Sequence, residues 1–404
     1  MPVADAQQRI IDAFEPLPAE QIFLADGLGR VLARDVASRR DQPPIAVSAM
    51  DGYAARAADV ASLPASLNVI GYAPAGHAFD GAVAPGEAVR IFTGAPVPDG
   101  ADTIVIQENT EQSGEVVRVI DGTAPVGRYI RPPGLDFAMG DVLLPRGKVL
   151  TARDIGLSAA MNVPWLSVHR RPRISILATG DEIVMPGDPI GRDQIVSSNA
   201  LSLAAFITAQ GGTPLDLGIA PDEEDGLRAL AGGAQGSDIL VTTGGASVGD
   251  HDLVQSVLGD IGLEVDFWRI AMRPGKPLMF GKIEETFLIG LPGNPVSSLV
   301  CAIMFLAPAL RKMLGMDDLL PETGTARLGV DLPENDERED YLRASLSRDD
   351  HGNLVATPYG KQDSSMFATI ARADVLVIRK PFAEAAKTGA TVQFILLKDG
   401  IFSI

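Results

Sequence analysis

The 404-residue sequence has little of what covalent and metal centres are usually built from. Its single cysteine, Cys301, excludes an internal disulfide and leaves no thiolate set for a metal. Cys301 sits inside an apolar helical pattern, where it reads as a small buried hydrophobe. The four histidines, His77, His169, His251 and His351, are scattered, and none stands at zinc-ligand spacing. Long apolar runs are also missing. The strongest, Val296 to Leu310, covers about 15 residues and contains Pro308, so it reads as a buried helix and no membrane span is expected. The first residues are acidic and amphipathic, without the basic start or small-residue cleavage site of a signal peptide, and a cytoplasmic setting is expected. Basic charge is short: 34 Lys and Arg face 52 Asp and Glu. The resulting net charge of −18 argues against a nucleic-acid partner. It also means that any bound anion needs cations placed locally against a repulsive field.

What is present reads as a globular protein, 46% hydrophobic and 21% charged, of a length that suggests about two to four domains. No internal repeat or low-complexity tract interrupts it. Residues 1–40 open as a helix, with Ile10, Ile11 and Phe14 at helical spacing. Residues 137–170 return to helix in "TARDIGLSAAM", where Thr151 is a plausible cap before Asp154, and the two stretches are assigned to one helical linker domain. Residues 41–136 are rich in Gly and Pro with short runs such as "AVRIF" and "DTIVIQE", which predicts a small β domain with long loops. Across 171–316 strands alternate with helices. Ile174 to Ala178, Ile239 to Thr242 and "FLIGL" at 287–291 read as strands. Ser197 to Gln210, 252–258 and a segment capped by Asn294, with Pro295 in its first turn, read as helices. The fold class expected is therefore multidomain α/β around a central wound, mostly parallel sheet. Residues 317–404, with "YLRASL", "VLVIRK" and "TVQFILL", predict a C-terminal β-barrel-like domain.

Several unusual loops fall just after predicted strands of the wound domain: "TGDE" (179–182), "TTGGASVGDHD" (242–252), "MRPGKP" (272–277) and "LPGNPVS" (291–297). Strand order in such a sheet places these loops on one edge. The glycines Gly244, Gly245 and Gly249, with Ser247, would let a backbone approach a phosphorylated ligand. No Lys-Ser/Thr follows them, so this is not a nucleotide P-loop. Ser247 and His251 have no nucleophile elbow around them, which argues against a hydrolase triad. Arg273 and Lys276 stand in a proline-stiffened loop near Arg269, an arrangement suited to an oxyanion. Asp181, Glu182, Asp222, Asp250 and Asp252 supply carboxylates without His or Cys, a set that prefers a hard cation such as Mg²⁺ bridging to phosphate. In the β domain, "VSAMDGYA" puts Asp51 in a turn, and "RIFTGAPVPDGADTIVIQE" holds Thr93 and Gly94 at a strand end.

Taken together, "SAMDGYA", "RIFTGAPVPDGAD", "RPPGLDFAMGDVLL", "RPRISILATGDEIV", "TTGGASVGDHD", "RPGKPLMFG" and "LPGNPVSS" resemble the molybdopterin molybdenumtransferase family, to which the E domain of gephyrin is related. The motifs keep the family's order over residues 1–316, and the layout continues to the C-terminus. The resemblance implies four domains and a homodimer whose active site lies between the sheet domain of one subunit and the β domain of the other. It implies a Mg²⁺-dependent reaction that takes molybdate and adenylylated molybdopterin and gives molybdenum cofactor and AMP. A molybdopterin adenylyltransferase would be the upstream partner. By motif, Asp51 and Thr93 would reach in from the partner subunit, and Glu182, Asp222 and Asp252 would serve catalysis and the metal. Gly244, Gly245, Ser247, Gly249, Asp250, Pro292, Asn294 and Pro295 would bind the substrate. Arg269, Arg273, Lys276, Ser297, Arg343, Ser364 and Ser365 would bind molybdate. Family members commonly carry Lys at the positions of Arg269 and Arg273, and Val at that of Ala246. Arg keeps the charge but donates through a planar fork.

The expected mechanism is largely electrostatic, with molybdate pinned by Arg273 and Lys276 while Asp51 orients the attacking oxygen. The dithiolene sulfurs belong to the substrate. Two alternatives stand beside this reading: a scaffold or receptor-binding role like that of the gephyrin E domain, and the adenylyltransferase step alone. The motifs in 41–136 and the C-terminal module argue against the second. The retention of nearly every motif position argues against the first.

Overall fold

The protein is described by a computed structural model covering residues 1–244, 253–260 and 262–397. The chain forms two compact units. One comprises Met1–Arg34, Arg146–Ala152 and Ser167–Ile404; the other comprises Asp35–Pro145 and Arg153–Leu166.

The larger unit is built on a six-stranded sheet. Its order is Thr213–Ala220, Arg173–Thr179, Ile239–Thr243, Thr286–Leu291, Met279–Ile283 and Leu263–Trp268. The first four strands are mutually parallel, and Met279–Ile283 is antiparallel to both of its neighbours. Central strands of such a sheet are covered on both faces and therefore read as unbroken apolar runs. Ile239–Thr243 is buried along its whole length, and Arg173–Thr179 at every position but its first. Alternate residues then feed two separate cores. Ile174, Ile176, Ile239, Val241, Ile289 and Leu291 face one way, onto the helix Asn199–Ala209 and the long helix from Pro295. Leu177, Leu240 and Leu288 face the other way, onto Leu227 and Ala231 of Glu224–Ala231 and onto Val257 and Leu258. The wound α/β architecture expected from the strand–helix alternation is thus present.

The first core has a distant contributor. The helix Val3–Asp12 delivers Val3, Ala6 and Ile10, followed by Phe14, beneath the sheet. Phe14 lies 4.4 Å from Phe287 between ring centroids, and Phe287 stacks on Phe280 at 6.0 Å. Burying an aromatic ring of this kind contributes about 2–3 kcal/mol.

The apolar run at 296–310 forms the helix Pro295–Cys301, a π-helical turn Ala302–Leu306 and the helix Ala307–Met313. Pro308 has no N–H to give and its ring would press on the carbonyl one turn earlier; the widened turn before it relieves that clash. Length and apolarity alone would let this helix cross a membrane, but 78% of its most apolar window is buried inside the protein.

The C-terminal strands close into a five-stranded barrel: Glu339–Arg348, Leu354–Pro358, Thr323–Leu328, Thr391–Leu396, Val375–Arg379, and back to the first. Closure removes the free sheet edges. A two-residue strand, Met272–Arg273, adds to it by pairing in parallel with Glu339 and Asp340. The barrel's outer residues Tyr341, Leu376 and Ile395, with Ile370 of the short helix Phe367–Arg372, join the first core of the wound sheet.

The smaller unit carries a mixed sheet in the order Thr103–Ile106, Gly52–Ala55, Glu87–Ile91, Ala65–Ala73, Val116–Val119 and Thr110–Ser113. The helix expected at "TARDIGLSAAM" runs Ala152–Ala160. Gly52 is required where it stands, because a Cβ there would fall 2.0 Å from the Val105 carbonyl oxygen of the neighbouring strand.

Candidate functional site

The parallel strands send their carboxyl ends to one edge of the wound sheet. Leu263–Trp268 points the same way, since it and Thr286–Leu291 are both antiparallel to Met279–Ile283. Five loops therefore leave the same edge: those after Ala220, Thr179, Thr243, Trp268 and Leu291. Strand order sorts them by chemistry. The acidic loops come first, then the glycine loop, then "PGNP", then the cationic loop at 269–278.

On the acidic side, Gly180 adopts φ +137°, and a Cβ there would fall 2.4 Å from a carboxylate oxygen of Glu182. Asp181 accepts the Asp222 N–H at 3.0 Å, tying the two acidic loops together and leaving the Glu182 and Asp222 carboxylates exposed. Among the described residues, no three His, Cys, Asp or Glu side chains come together as a metal cage. Gly245, Ser247, Gly249, Asp250 and Asp252 lie outside the described residues.

In the middle, Gly244 has φ +92°, and a Cβ would stand 2.5 Å from the Thr179 carbonyl oxygen. Gly293, from the "PGNP" loop, approaches so closely that its own Cβ would lie 3.5 Å from Gly244 Cα. Asn199 secures this contact: its side-chain amide donates to Thr243 Oγ1 at 2.8 Å and to the Gly293 carbonyl at 2.7 Å. Asn199 was not singled out from sequence. Its only signal is an amide side chain at a helix start immediately after a short strand.

Pro292 is buried, and Pro295 opens the helix that Asn294 precedes. Asn294 was expected as a side-chain cap, but its amide donates outward to Ser364 Oγ at 2.9 Å instead. The Val296 N–H donates to the Ser364 carbonyl at 3.1 Å. The turn carrying Ser364 therefore covers the first turn of this helix, in which Ser297 is buried. Ser365 donates its hydroxyl to Asp363 at 2.6 Å; that bond and the Ser365 N–H hold the Asp363 carboxyl below its ordinary range. Arg343 is 1% exposed. It donates Nη2 to the Asp363 carbonyl at 3.0 Å, while its buried Nε has no partner. Burial lowers its pKa, with the Asp363 carboxylate opposing.

The cationic loop is held stiffly from two sides. Gly275 (φ +112°) lies where a Cβ would meet Cys301 Sγ at 2.5 Å, so the loop rests on the buried helix. Burial pushes the Cys301 thiol pKa up, in keeping with its expected inert role. Arg269 adopts φ +78° with its guanidinium 4.6 Å from the Trp268 ring centroid. Lys276 is exposed, and its ammonium has no ion pair among the described residues. Arg273 is engaged by the barrel: Nη1 meets Asp336 at 2.9 Å, and Nη2 meets Asn335 at 3.2 Å and also Asp340. Neither carboxylate was foreseen from sequence, since they lie 63 and 67 residues away.

In the smaller unit, Asp51 and Thr93 are brought together directly. Asp51 Oδ1 accepts the Thr93 N–H at 2.7 Å and the Thr93 hydroxyl at 2.8 Å. Those bonds, with the nearby Arg90 charge, lower the Asp51 pKa. Arg90 was not foreseen; it donates to the Gly52 carbonyl at 3.1 Å and to Gln107 at 2.5 Å, and lies over the Tyr53 and Phe92 rings.

Family profiles match the chain in three consecutive parts. Residues 1–162 match the MoeA N-terminal region (domain I and II), 175–312 a probable molybdopterin binding domain, and 325–397 the MoeA C-terminal region (domain IV). A molybdopterin molybdenumtransferase of Nostoc is 36% identical over 359 residues, covering 87% of this chain and 82% of its own length. The chain belongs to the molybdopterin molybdenumtransferase family. The family's member in Bacillus subtilis is 32% identical over 407 residues, covering 99% of this chain and 94% of its own. The crystal structure of a molybdopterin biosynthesis moeA protein from Pyrococcus horikosii superposes with a TM-score of 0.85 at 32% identity, covering 99% of both chains. As a molybdopterin molybdenumtransferase, the chain is a transferase of molybdenum-cofactor biosynthesis, in agreement with the sequence expectation.

Proposed function

We propose that the enzyme takes molybdate and adenylylated molybdopterin, and yields molybdenum cofactor and AMP. The observation that carries this reading is the order of loops along one sheet edge. Acids stand at one end and cations at the other, with close-packed glycine backbone between them. A ligand laid along that edge has its phosphoanhydride at the acidic end and its oxyanion partner at the cationic end.

The donor chemistry fits Mg²⁺. Glu182 and Asp222 offer hard carboxylate oxygens, and Mg²⁺ in such enzymes typically takes one or two carboxylates together with substrate phosphate and water. With Asp252, they would hold it, and when bound it supplies charge neutralisation to the anhydride. The backbone at Gly244, with Gly245, Ser247, Gly249 and Asp250 beyond it, binds the substrate alongside Pro292, Asn294 and Pro295. Lys276, Arg269, Ser297, Ser364, Ser365 and Arg343 receive molybdate, with Arg273 supporting that subsite. The unpartnered Nε of buried Arg343 favours this, because a buried guanidinium N–H is costly to leave without an acceptor.

Asp51, kept ionised by Thr93, orients the attacking oxygen. In this reading the enzyme is a cytoplasmic homodimer, and Asp51 and Thr93 of one copy serve the sheet edge of the other. A molybdopterin adenylyltransferase supplies the substrate, and the division into four domains carries over with the family.

Reconstitution tests the proposal. With the purified chain, adenylylated molybdopterin, Mg²⁺ and molybdate, AMP release is expected only when molybdate is present. AMP release independent of molybdate would sink it.

A further inference from the structure

We propose that Asp336 and Asp340 are positioning residues for the anion subsite: they hold Arg273 as a strut that fixes the 273–276 turn, and Lys276 is that turn's anion-binding cation. The proposal rests on the molybdate reading above and assigns the two cations of one loop to different work.

The geometry separates Arg273 from Lys276. Arg273 spreads its two terminal nitrogens over three acceptors: Asp336 at 2.9 Å on Nη1, and Asn335 at 3.2 Å and Asp340 on Nη2. The two carboxylates sit on different residues, so one planar fork bridges them in a way that a single ammonium point charge would not. Two of these acceptors are fixed from behind. Asp336 also takes Arg338 Nη2 at 2.8 Å and the Arg338 N–H at 3.0 Å. Asn335 donates its amide to the carbonyls of Arg338, Arg379 and Lys380 at 2.8, 3.1 and 3.0 Å. The barrel therefore presents a preformed cradle.

Moving Arg273 to an anion would be costly. The Asp340 side chain is 6% exposed, and its Oδ1 is buried without any hydrogen-bond partner. Arg273 is the cation that compensates its other oxygen, and a buried carboxylate stripped of its partner is strongly unfavourable. The backbone points the same way: Met272 and Arg273 pair in parallel with Glu339 and Asp340, and the Glu339 N–H donates to the Ala271 carbonyl at 2.9 Å. Past Arg273, Gly275 rests on Cys301. What emerges from this doubly anchored turn is Lys276, exposed and with no ion pair among the described residues.

The two possible roles of Arg273 give opposite signs in one measurement. If it is a strut, Asp336→Asn slackens the turn: the KM for molybdate is expected to rise about tenfold while kcat falls less than about threefold. If Arg273 is itself an anion ligand, removing a competing carboxylate frees it, and KM falls or stays level; that result overturns the proposal. Asp340→Asn should act in the same direction. Should burial make that variant unstable, Asp336→Asn, at a half-buried position, carries the test alone. On an Arg273→Ala background, Asp336→Asn is expected to add nothing further, since its effect runs through Arg273. Wild-type AMP release that ignores molybdate would instead fail the functional reading itself, so the two failures are told apart.

Discussion

A single oxygen of Asp51 receives both hydrogen-bond donors of Thr93, the backbone N–H at 2.7 Å and the hydroxyl at 2.8 Å. An acid and a hydroxyl 42 residues apart thus form one unit, with the Asp51 charge stabilised by donors that do not titrate.

The Asp51 carboxyl is therefore expected to titrate below 3.8, its ordinary value. For a depressed carboxyl, the stabilisation is present above that ordinary value and is lost as pH falls through the folded-state pKa. Carboxyl NMR titration of the wild type and Thr93→Ala should show the midpoint moving upward in the variant, because the hydroxyl bond is gone while the N–H bond stays. An unmoved midpoint would mean the hydroxyl contributes nothing. Asp51→Asn, in protein of unchanged stability, should lose cofactor formation; undiminished formation would remove Asp51 from the mechanism.

Asn199→Ala removes both hydrogen bonds that fasten Thr243 to Gly293. Stability should fall by about 1–3 kcal/mol in urea denaturation. The larger effect is expected on substrate: the KM for adenylylated molybdopterin should rise while the KM for molybdate holds, since Lys276 and its loop are anchored separately. Equal rises in both constants would contradict that separation.

Gly244→Ala adds a methyl 2.5 Å from the Thr179 carbonyl in a left-handed backbone, so strain and clash combine. A loss of roughly 2–4 kcal/mol is expected, against about 1 kcal/mol for Gly86→Ala, where φ is +79° but the space is open. Thermal melts of the two variants side by side decide it. Similar losses would show that backbone conformation alone, rather than the close approach at the sheet edge, demands glycine.

Cys301 is fully buried with its thiol pKa raised, so it should not react with an aromatic disulfide reagent at pH 8 unless the protein is unfolded. Cys301→Ser places a hydroxyl among Met272, Gly275 and the sheet core, and should cost about 1–3 kcal/mol. Rapid labelling of the native thiol would show that the 273–276 turn opens readily.

Much of the architecture was legible because it is local. Apolar runs ending in glycine, acid or proline marked the strands and their loops, and the rules of parallel sheets gathered those loops on one edge. What escaped reading depends on distant partners. Arg273 looked like a free cation because Asp336 and Asp340 lie in a barrel strand and its approach, with no local trace of the pairing. Asn294 has the sequence features of a helix cap, yet Ser364 diverts its amide, a contact that exists only once the barrel's turn has folded over the helix. The run at 296–310 was read as a buried helix despite Pro308, and a π turn before the proline lets that helix run on to Met313. Asn199 and Arg90 act through carbonyls and neighbouring side chains that their own sequence contexts do not reveal.

The first helix gives the chain a particular order of assembly. Val3, Ala6 and Ile10 are buried against residues that follow them by some hundreds of positions, and Gln7 donates to the carbonyl of Met304 at 3.0 Å. During synthesis that amphipathic segment leaves the ribosome with its apolar stripe uncovered. It stays so while the whole Asp35–Pro145 segment is made, and until the sheet and the helix beyond Pro295 have emerged. Residues 3–14 are thus made long before the surface that buries them, and until that surface folds their apolar stripe is open to other proteins.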